Sequence, residues 1–307
     1  MNSIKINTVE LDIDKKLYKL LLDETGTYIY IKNLKRQYVY VNDLTQKLFQ
    51  KNLKDIIGYD DHHFFELEAL SDIIKNDNRV LDLGEIVKDE EINVIKSTGE
   101  VKVYQAVKKP IYNSNNKIVG LFGVSTDITE IYNLKEKLKT LAITDSMTKL
   151  YNRKYFVETS NSILKLAKRN STNCSIAMFD LDNFKNINDT YGHNIGDKII
   201  IFFADILQEC TRQSDIISRW GGEEFLIFLP ETNVDGALKI SENIRNKVEK
   251  SNLVLENGVN LMFTVSIGVS EIRLDEDIDI DINSFIVKVD KHMYRAKANG
   301  KNRVQSD

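Results

Sequence analysis

The sequence predicts an α+β protein with an antiparallel sheet domain first, then a helical linker, then an α/β sandwich. Between residues 17 and 130, runs of aromatic and β-branched residues alternate with short helical segments. Residues 131–143 form an amphipathic pattern, and from residue 144 long helical patterns alternate with apolar strands. We therefore divide the chain into an N-terminal extension (1–16), a first domain (17–130), a linker (131–143) and a second domain (144–307).

The composition indicates a globular protein and argues against several other classes. The chain is 42% hydrophobic and 29% charged, which is typical of a globular protein. A net charge of -4 argues against general nucleic-acid or anionic-membrane binding, which normally needs a basic face. Cys174 and Cys210 are the only cysteines, so we expect no disulfide framework and a cytoplasmic location. The longest apolar run, Ile199–Leu207, is interrupted by Asp205 and too short for a membrane span.

The first domain begins with a predicted hairpin. Tyr28–Ile31 and Tyr38–Val41 are rich in strand-forming residues, and the polar segment Lys32–Arg36 separates them as a turn. Three further strands are predicted at Glu91–Lys96, Val101–Lys108 and Ile118–Thr126. Two strands, short helical segments and then three more strands follow one another along the chain. This order indicates an α+β domain with one antiparallel sheet.

The linker carries an apolar seam. Ile131, Leu134, Leu138 and Leu141 follow one another at spacings of three, four and three, as the inner positions of a coiled coil do. Two heptads leave two interpretations open, a helix that pairs with a second copy and a helix that packs on a flanking domain. Its position between two domains favours a dimerising helix.

The second domain shows a regular alternation of helices and strands. Helices are predicted at 152–169, 183–190, 196–211, 234–249 and 284–299, and strands at 175–180 and 262–270. Ile216–Trp220 and Leu226–Leu229 are joined through Gly221 and Gly222, which predicts a tight hairpin. These elements predict an α/β sandwich.

Three acidic residues suggest a metal site in this domain. Asp180 ends an apolar strand, and the Gly-Gly hairpin turn carries Glu223 and Glu224. Carboxylates next to an exposed main chain can hold Mg²⁺ and bring a phosphate close, as in a Mg²⁺-dependent nucleotidyl transferase. The alternative from these residues alone is an ordinary turn with solvated acids.

Polar residues near these acids suggest a nucleotide. Lys185 can contact phosphate, and Asn188 with Asp197 can bind a purine edge. Lys297 and Lys301 form a C-terminal basic group that can clamp a triphosphate.

The first domain resembles a PAS sensor domain. The resemblance rests on Tyr40-Val41-Asn42, Ile57-Gly58, Asn78-Arg79-Val80-Leu81 and Gly123-Val124-Ser125-Thr126-Asp127-Ile128-Thr129. It implies a cupped sheet that holds a small-molecule ligand or only mediates dimerisation. We interpret His62 and His63 as loop residues, because adjacent side chains point to different sides. No histidine occurs in 71–83, so we predict no haem.

The second domain resembles the GGDEF diguanylate cyclase family. The matching motifs, in order, are Asp145-Ser146-Met147-Thr148-Lys149-Leu150-Tyr151-Asn152-Arg153, the block from Phe179 to His193, Gly196-Asp197, Arg219-Trp220-Gly221-Gly222-Glu223-Glu224-Phe225, Ser266-Ile267-Gly268-Val269-Ser270, and Asp290 to Lys297 with Gly300. The resemblance implies a cytoplasmic bacterial signalling transferase that joins two GTP molecules into cyclic di-GMP. Each domain would bind one GTP, so a homodimer is required.

The resemblance also implies roles for individual residues. Asp180, the main-chain carbonyl of Leu181 and Glu223 would hold Mg²⁺, or Mn²⁺ in its place, with Glu224 as a further ligand or support. Glu223 is the candidate to take the proton of the attacking 3′-hydroxyl. Asn188 and Asp197 would read guanine and favour GTP over ATP. The remaining substrate-binding positions implied are Phe184, Lys185, Gly221, Gly222, Lys297 and Lys301.

Arg212 and Asp215 lie just upstream of the hairpin. At this offset they match the family's inhibitory product site, and a surface ion pair is the alternative. Lys149 stands where the family usually has glycine, and Lys301 where arginine is common. We interpret His193, His292 and Trp220 as structural. A non-catalytic receptor for GTP or cyclic di-GMP is the alternative function, although such receptors usually lose the acids or the glycines found here.

Overall fold

The protein is described here from a computed structural model, which covers residues 3–6, 9–12, 20, 22–66, 70–254, 260–272 and 281–307. The chain forms two compact units, Met1–Lys137 and Leu138–Asp307. The predicted domain start at residue 17 lies outside the described residues. Strands β1 (Ser3–Ile6) and β2 (Val9–Asp12) pair antiparallel within the predicted N-terminal extension.

The first unit is built on a five-stranded sheet. Its strands are β3 (Tyr28–Asn33), β4 (Tyr38–Val41), β5 (Val87–Val94), β6 (Val101–Tyr112) and β7 (Ile118–Asp127). Their order is β4-β3-β7-β6-β5, and every neighbouring pair is antiparallel. The predicted hairpin and the single antiparallel sheet are therefore confirmed.

Two α-helices and two single turns of 3₁₀ helix lie between β4 and β5. They are α1 (Asp43–Phe49), α2 (Leu70–Leu83), and the turns Leu53–Asp55 and Asp61–His63. The side chain of Asn42 caps α1 by accepting a hydrogen bond from the Thr45 amide. Apolar side chains of these helices, among them Phe49, Ile73 and Val80, form a core with the sheet.

Lys32 corrects one prediction. The sequence places it in a polar turn, but β3 continues to Asn33 and the lysine is only 1% exposed. Its ammonium group lies 2.5 Å from Asp61 and 2.8 Å from Asp77, which are themselves buried. The two carboxylates offset the free-energy cost of burying the lysine charge. They are distant from Lys32 in the sequence, so a local turn pattern does not predict the contact.

Helix α3 (Thr129–Ile143) corresponds to the predicted linker. The four seam residues are all exposed, by 66% at Ile131, 52% at Leu134, 66% at Leu138 and 57% at Leu141. Among the described helices, none is both long enough and apolar enough to cross a membrane.

The second unit contains a six-stranded sheet. Its strands are β8 (Tyr151–Asn152), β9 (Cys174–Leu181), β10 (Ile216–Gly221), β11 (Glu224–Pro230), β14 (Val265–Ile272) and β15 (Val304–Gln305). Their order is β15-β14-β9-β11-β10-β8. The central four strands are antiparallel, and the two short outer strands run parallel to their neighbours. Strands β12 (Leu253–Val254) and β13 (Asn260–Leu261) form a separate pair.

Helices cover both faces of this sheet. They are α4 (Arg153–Asn170), α5 (Phe184–Tyr191), α6 (His193–Cys210), α7 (Val234–Lys250) and α8 (Ile282–Ala298). All eight residues of β9 are buried, because one face packs in the core with α6 and α7 and the other with α4 and α8. Ile176 and Met178 belong to the α4 and α8 core, so Asp180, two residues on, points to that same face. The predicted α/β sandwich is confirmed.

Candidate active site

The hairpin between β10 and β11 is tighter than the sequence suggests. Gly221 pairs with Glu224, so the turn consists of Gly222 and Glu223 alone. Gly222 has φ +45°, a conformation that favours glycine. The prediction that the turn carries both acids is therefore corrected for one of them: Glu223 is in the turn, whereas Glu224 is the first residue of β11.

Arg219 holds the turn in place through hydrogen bonds and an ion pair. Its Nε and Nη2 donate to the carbonyl oxygen of Gly222 at 3.0 and 2.9 Å. Its Nη1 lies 3.3 Å from the carboxylate of Asp145, which in turn accepts hydrogen bonds from Thr148. A residue at the start of the unit thus holds the turn that presents Glu223. Sequence analysis quoted these residues only within motifs and did not predict this contact.

Asp180 and Glu224 stand opposite each other on β9 and β11. Asp180 is 4% exposed, and its carboxylate lies 2.7 Å from the Lys297 ammonium group at the end of α8. Burial raises the pKa of Asp180, and the charges of Glu223 and Asp182 raise it further, although Lys297 lowers it. Burial also raises the pKa of Glu224, with a further contribution from Asp180. Asp180, Glu223 and Glu224 therefore lie close enough for their negative charges to repel one another.

This donor set fits a divalent cation. Mutual repulsion between buried carboxylates is relieved by a cation between them, and carboxylate oxygens are the donors that Mg²⁺ prefers. The amide of Leu181 meets the Glu223 carbonyl at 3.4 Å, so main-chain groups of β9 and the turn are also adjacent. Within the described ranges, no group of three or more acidic, histidine or cysteine residues has the arrangement needed to hold a metal ion by side chains alone.

Asn188 on α5 packs against α6 at Gly196, the residue before Asp197. The side-chain oxygen of Asn188 is buried and has no hydrogen-bond partner among the described residues. A Cβ atom at Gly196 would lie 1.9 Å from that oxygen, so glycine is needed for this approach. Asp197 is exposed on the first turns of α6. An unpaired acceptor beside an exposed carboxylate can bind an N–H edge of a ligand.

Three further predicted substrate residues differ in environment. Phe184 is only 8% exposed and packs in the core, so its ring is unavailable and only its main chain can contact a substrate. Lys185 is exposed on α5. Lys301 has φ +64° and donates to the side-chain oxygen of Asn183. Lys297 therefore contacts Asp180, and Lys301 contacts Asn183, the residue before α5.

Asp182 is a functional candidate that sequence analysis missed. It is 3% exposed and accepts hydrogen bonds from Thr264 and Ser266 at 2.7 Å and from the Asn302 amide at 3.0 Å. It therefore anchors the segment that carries Lys301 against the end of β9. Its place two residues after Asp180, on the same face, is the signal that could have found it.

The Arg212–Asp215 turn precedes β10. The Arg212 amide donates to Asp215 Oδ2 at 2.8 Å, and the Asp215 amide donates to the Arg212 carbonyl at 3.0 Å. Asp215 is 7% exposed, whereas Arg212 is exposed. Among the described side chains these two form no salt bridge, so the surface ion pair is not what orders the turn.

The residues interpreted as structural lie as follows. His292 is buried, and its Nδ1 is 2.8 Å from the Val269 carbonyl oxygen. Trp220 packs edge-on against Phe156, with the Arg153 guanidinium 4.1 Å from its ring centre. His193 is the exposed first residue of α6.

His62 and His63 lie in the first unit. Both are about half exposed and next to Asp60. Neither belongs to a metal-binding group in the described part of the chain.

Comparisons with known proteins identify the family of each of the two units. A family model described as "Diguanylate cyclase, GGDEF domain" matches residues 142–303, and one described as "PAS fold" matches residues 22–133. A diguanylate cyclase from Vibrio cholerae is 38% identical over 304 residues, covering 98% of this chain and 93% of that protein. DgcM from Escherichia coli is 37% identical over 206 residues, which is 67% of this chain and 48% of that protein.

A solved structure supports the same assignment. The coiled coil and GGDEF domain of DgcB from Caulobacter crescentus, in complex with cyclic di-GMP, aligns with TM-score 0.54 and 28% identity. The alignment covers 58% of this chain and 94% of that one. With a PAS-fold unit first and the glycine-acid hairpin in the second unit, the chain belongs to the GGDEF family of diguanylate cyclases.

Proposed function

We infer that this chain condenses two GTP molecules into cyclic di-GMP and two pyrophosphates, under the control of its PAS-fold domain. The observation that carries this proposal is the acidic site itself. Asp180 and Glu224 oppose each other on neighbouring strands, Glu223 stands on the adjoining turn, and Lys297 supplies the nearest positive charge. Because the three carboxylates and the triphosphate are all negatively charged, they can come together only when cations lie between them. Nucleotidyl transfer requires such cations to neutralise the phosphates.

The residues that would hold the metal are Asp180, Glu223, Glu224 and the main-chain carbonyl of Leu181. Bound there, Mg²⁺ or Mn²⁺ would neutralise the triphosphate and the charge that develops on its oxygens. Lys297, whose side chain is 33% exposed, can exchange its contact with Asp180 for a phosphate oxygen. Lys185 and Lys301 add charge for the phosphates, and the exposed backbone at Gly221 and Gly222 leaves room for them. Glu223 is proposed to accept the proton of the attacking 3′-hydroxyl.

Guanine recognition is proposed at Asn188 and Asp197. Guanine presents N–H donors on its Watson–Crick edge, and the unpaired oxygen of Asn188 lacks such a donor. Asp197 offers a second acceptor that adenine, with no donor at N1, cannot satisfy. The pair therefore favours GTP over ATP.

Catalysis is proposed to need a homodimer. Two GTP-loaded domains must face each other so that each 3′-hydroxyl reaches the other's α-phosphate. The exposed seam of α3 suits pairing with a second copy, because four apolar side chains at coiled-coil spacing are left uncovered. The DgcB structure likewise contains a coiled coil with a GGDEF domain.

Feedback by product is proposed at Arg212 and Asp215. The short turn holds Asp215 by its backbone contacts, and Arg212 presents an exposed guanidinium that can bind phosphate or guanine. DgcB was solved with cyclic di-GMP bound, which supports the proposal without locating the site here. The domain limits at 16, 130 and 143, and the cytoplasmic location, stay predictions.

Turnover by matched variants tests the proposal. Glu223→Gln removes one carboxylate charge without changing side-chain size, and we expect cyclic di-GMP formation to fall by at least about 100-fold. Glu231→Gln, just beyond the other end of β11, is the control and should keep wild-type rates. Asp197→Ser should reduce the preference for GTP over ATP. Near-wild-type activity of Glu223→Gln would refute the assignment of the acids.

A further inference from the structure

The interior of the PAS-fold domain contains a chain of alternating charges. Lys32 contacts Asp61 and Asp77, and Lys108 contacts Asp77 and Glu91, at distances from 2.5 to 2.8 Å. The order is therefore acid, lysine, acid, lysine, acid, and both ends are carboxylates. All five residues are at most 3% exposed.

This ladder carries an uncompensated negative charge. Burial alone would lower the pKa of each lysine, but the neighbouring carboxylates reverse that effect and hold both pKa values above the ordinary one. The two lysines likewise hold the pKa of Asp77 below its usual range against the effect of burial. With all groups ionised, three carboxylates face two ammonium groups. No other buried charged residue occurs in the described part of this domain, so the ladder has one negative charge in excess. The two end carboxylates also accept hydrogen bonds, Asp61 from the Tyr38 hydroxyl at 2.6 Å and Glu91 from the Asn76 amide group at 2.9 Å.

Both ends of the ladder border one cavity, because Glu91 lines it together with Lys32 and Asp61. Strand β5 presents Glu91 and Asn93 on one face, and Tyr104 of β6 stands directly opposite Glu91. Glu91, Asn93 and Tyr104 all line this cavity, which has a volume of about 30 Å³. That volume has room for about two or three small heavy atoms.

Two polar atoms on this cavity have no partner. Asn93 is 4% exposed and Tyr104 is 2% exposed, yet neither the Asn93 side-chain oxygen nor the Tyr104 hydroxyl has a hydrogen bond within the described structure. The Tyr104 ring meets Tyr28 edge-on at 5.3 Å. Burial raises the pKa of Tyr104, so its hydroxyl stays neutral. Buried groups left unpaired in this way are rare, and a bound molecule is one way to satisfy them.

The chemistry of this cavity suits an ammonium group. A carboxylate, an amide oxygen and a hydroxyl oxygen are three acceptors, and a primary ammonium group has three N–H donors. Aromatic rings of Tyr28, Tyr30 and Tyr104 form part of the wall and favour a cation. The Lys32 ammonium already occupies a comparable site, between two carboxylates and 5.0 Å from the Tyr38 ring centre.

We propose that the PAS-fold domain binds ammonium or a short primary alkylammonium ion at Glu91, Asn93 and Tyr104. A cation there extends the alternation by one and brings the buried charge to zero. The small volume excludes bulky amines, and the need for N–H donors excludes quaternary ammonium ions. The proposal concerns binding and does not depend on the cyclase activity.

Calorimetric titration of the full chain tests the proposal. The probes are ammonium chloride and methylammonium chloride, with sodium chloride and tetramethylammonium chloride as controls at equal ionic strength. We expect saturable binding of one ion per chain for the first two and no binding for the controls. No saturable binding of either ammonium probe, or equal binding of tetramethylammonium, would overturn the proposal.

Tyr104→Phe separates binding from a structural role. Because the hydroxyl has no partner in the protein, its loss should leave the unfolding temperature of the ligand-free chain unchanged or higher, and weaken methylammonium binding about tenfold. Tyr112→Phe, an exposed hydroxyl on the same strand, should change neither. Glu91→Gln should abolish binding. Unchanged affinity in Tyr104→Phe, or lower stability of its ligand-free form, would refute the site.

Discussion

Lys149 adopts a backbone conformation that glycine adopts without strain, so Lys149→Gly should stabilise the protein. Its φ is +62°, and its side chain is exposed apart from one hydrogen bond from Nζ to the Ser146 carbonyl at 2.7 Å. Relief of left-handed strain is worth about 1–2 kcal/mol. The flexibility of glycine in the unfolded chain offsets about 0.5–1 kcal/mol of this gain. The expected net gain in unfolding free energy is about 0.5–1 kcal/mol.

Thermal unfolding of the full chain measures this gain. For a domain of 150–250 residues, about 1 kcal/mol corresponds to roughly 2–4 °C, so the unfolding temperature of the second unit should rise by about 1–4 °C. Lys149→Ala is the matched control, because it removes the same ammonium group but keeps the Cβ atom that causes the strain. A glycine variant no more stable than the alanine variant would refute the reasoning.

Three further predictions concern the proposed sites. Because burial and neighbouring carboxylates raise the pKa of Asp180 above its unfolded value, its ionisation destabilises the fold increasingly as pH rises through that pKa. Asp180→Asn should therefore increase the unfolding free energy at neutral pH by on the order of 1 kcal/mol, and this gain should disappear in acid. The same variant should have no turnover. A melting temperature below that of the wild type at neutral pH would contradict this prediction. Replacing Leu134 and Leu138 by Asp should lower specific activity most at dilute protein, whereas specific activity that does not depend on dilution would mean that the seam does not dimerise. Arg212→Ala should relieve inhibition by added cyclic di-GMP with initial turnover unchanged, and wild-type protein that is not inhibited would remove the feedback site.

The main elements of the fold were predictable because long apolar runs mark them. Strand β9 has eight consecutive buried residues, and the hairpin glycines mark the turn between β10 and β11. The exact first and last residues of the helices and strands were less predictable. Helix α6 begins at His193, three residues before the predicted start at Gly196, because this glycine lies inside the helix, where it packs against Asn188.

Contacts between distant segments could not be predicted from local patterns. Lys32 looks like a turn residue until Asp61 and Asp77 are placed beside it. Asp182 looks like a loop acid until β14 brings Thr264 and Ser266 to its carboxylate. Such pairs depend on strand register, which side-chain alternation within one strand does not specify.

The mass of the product formed from GTP tests the central claim most directly. Wild-type protein incubated with GTP and Mg²⁺ should yield cyclic di-GMP, with two pyrophosphates released for each molecule formed. Asp180→Asn, treated identically, should yield neither. A wild-type protein that binds GTP but leaves it unchanged, or releases a product other than cyclic di-GMP, would contradict the account.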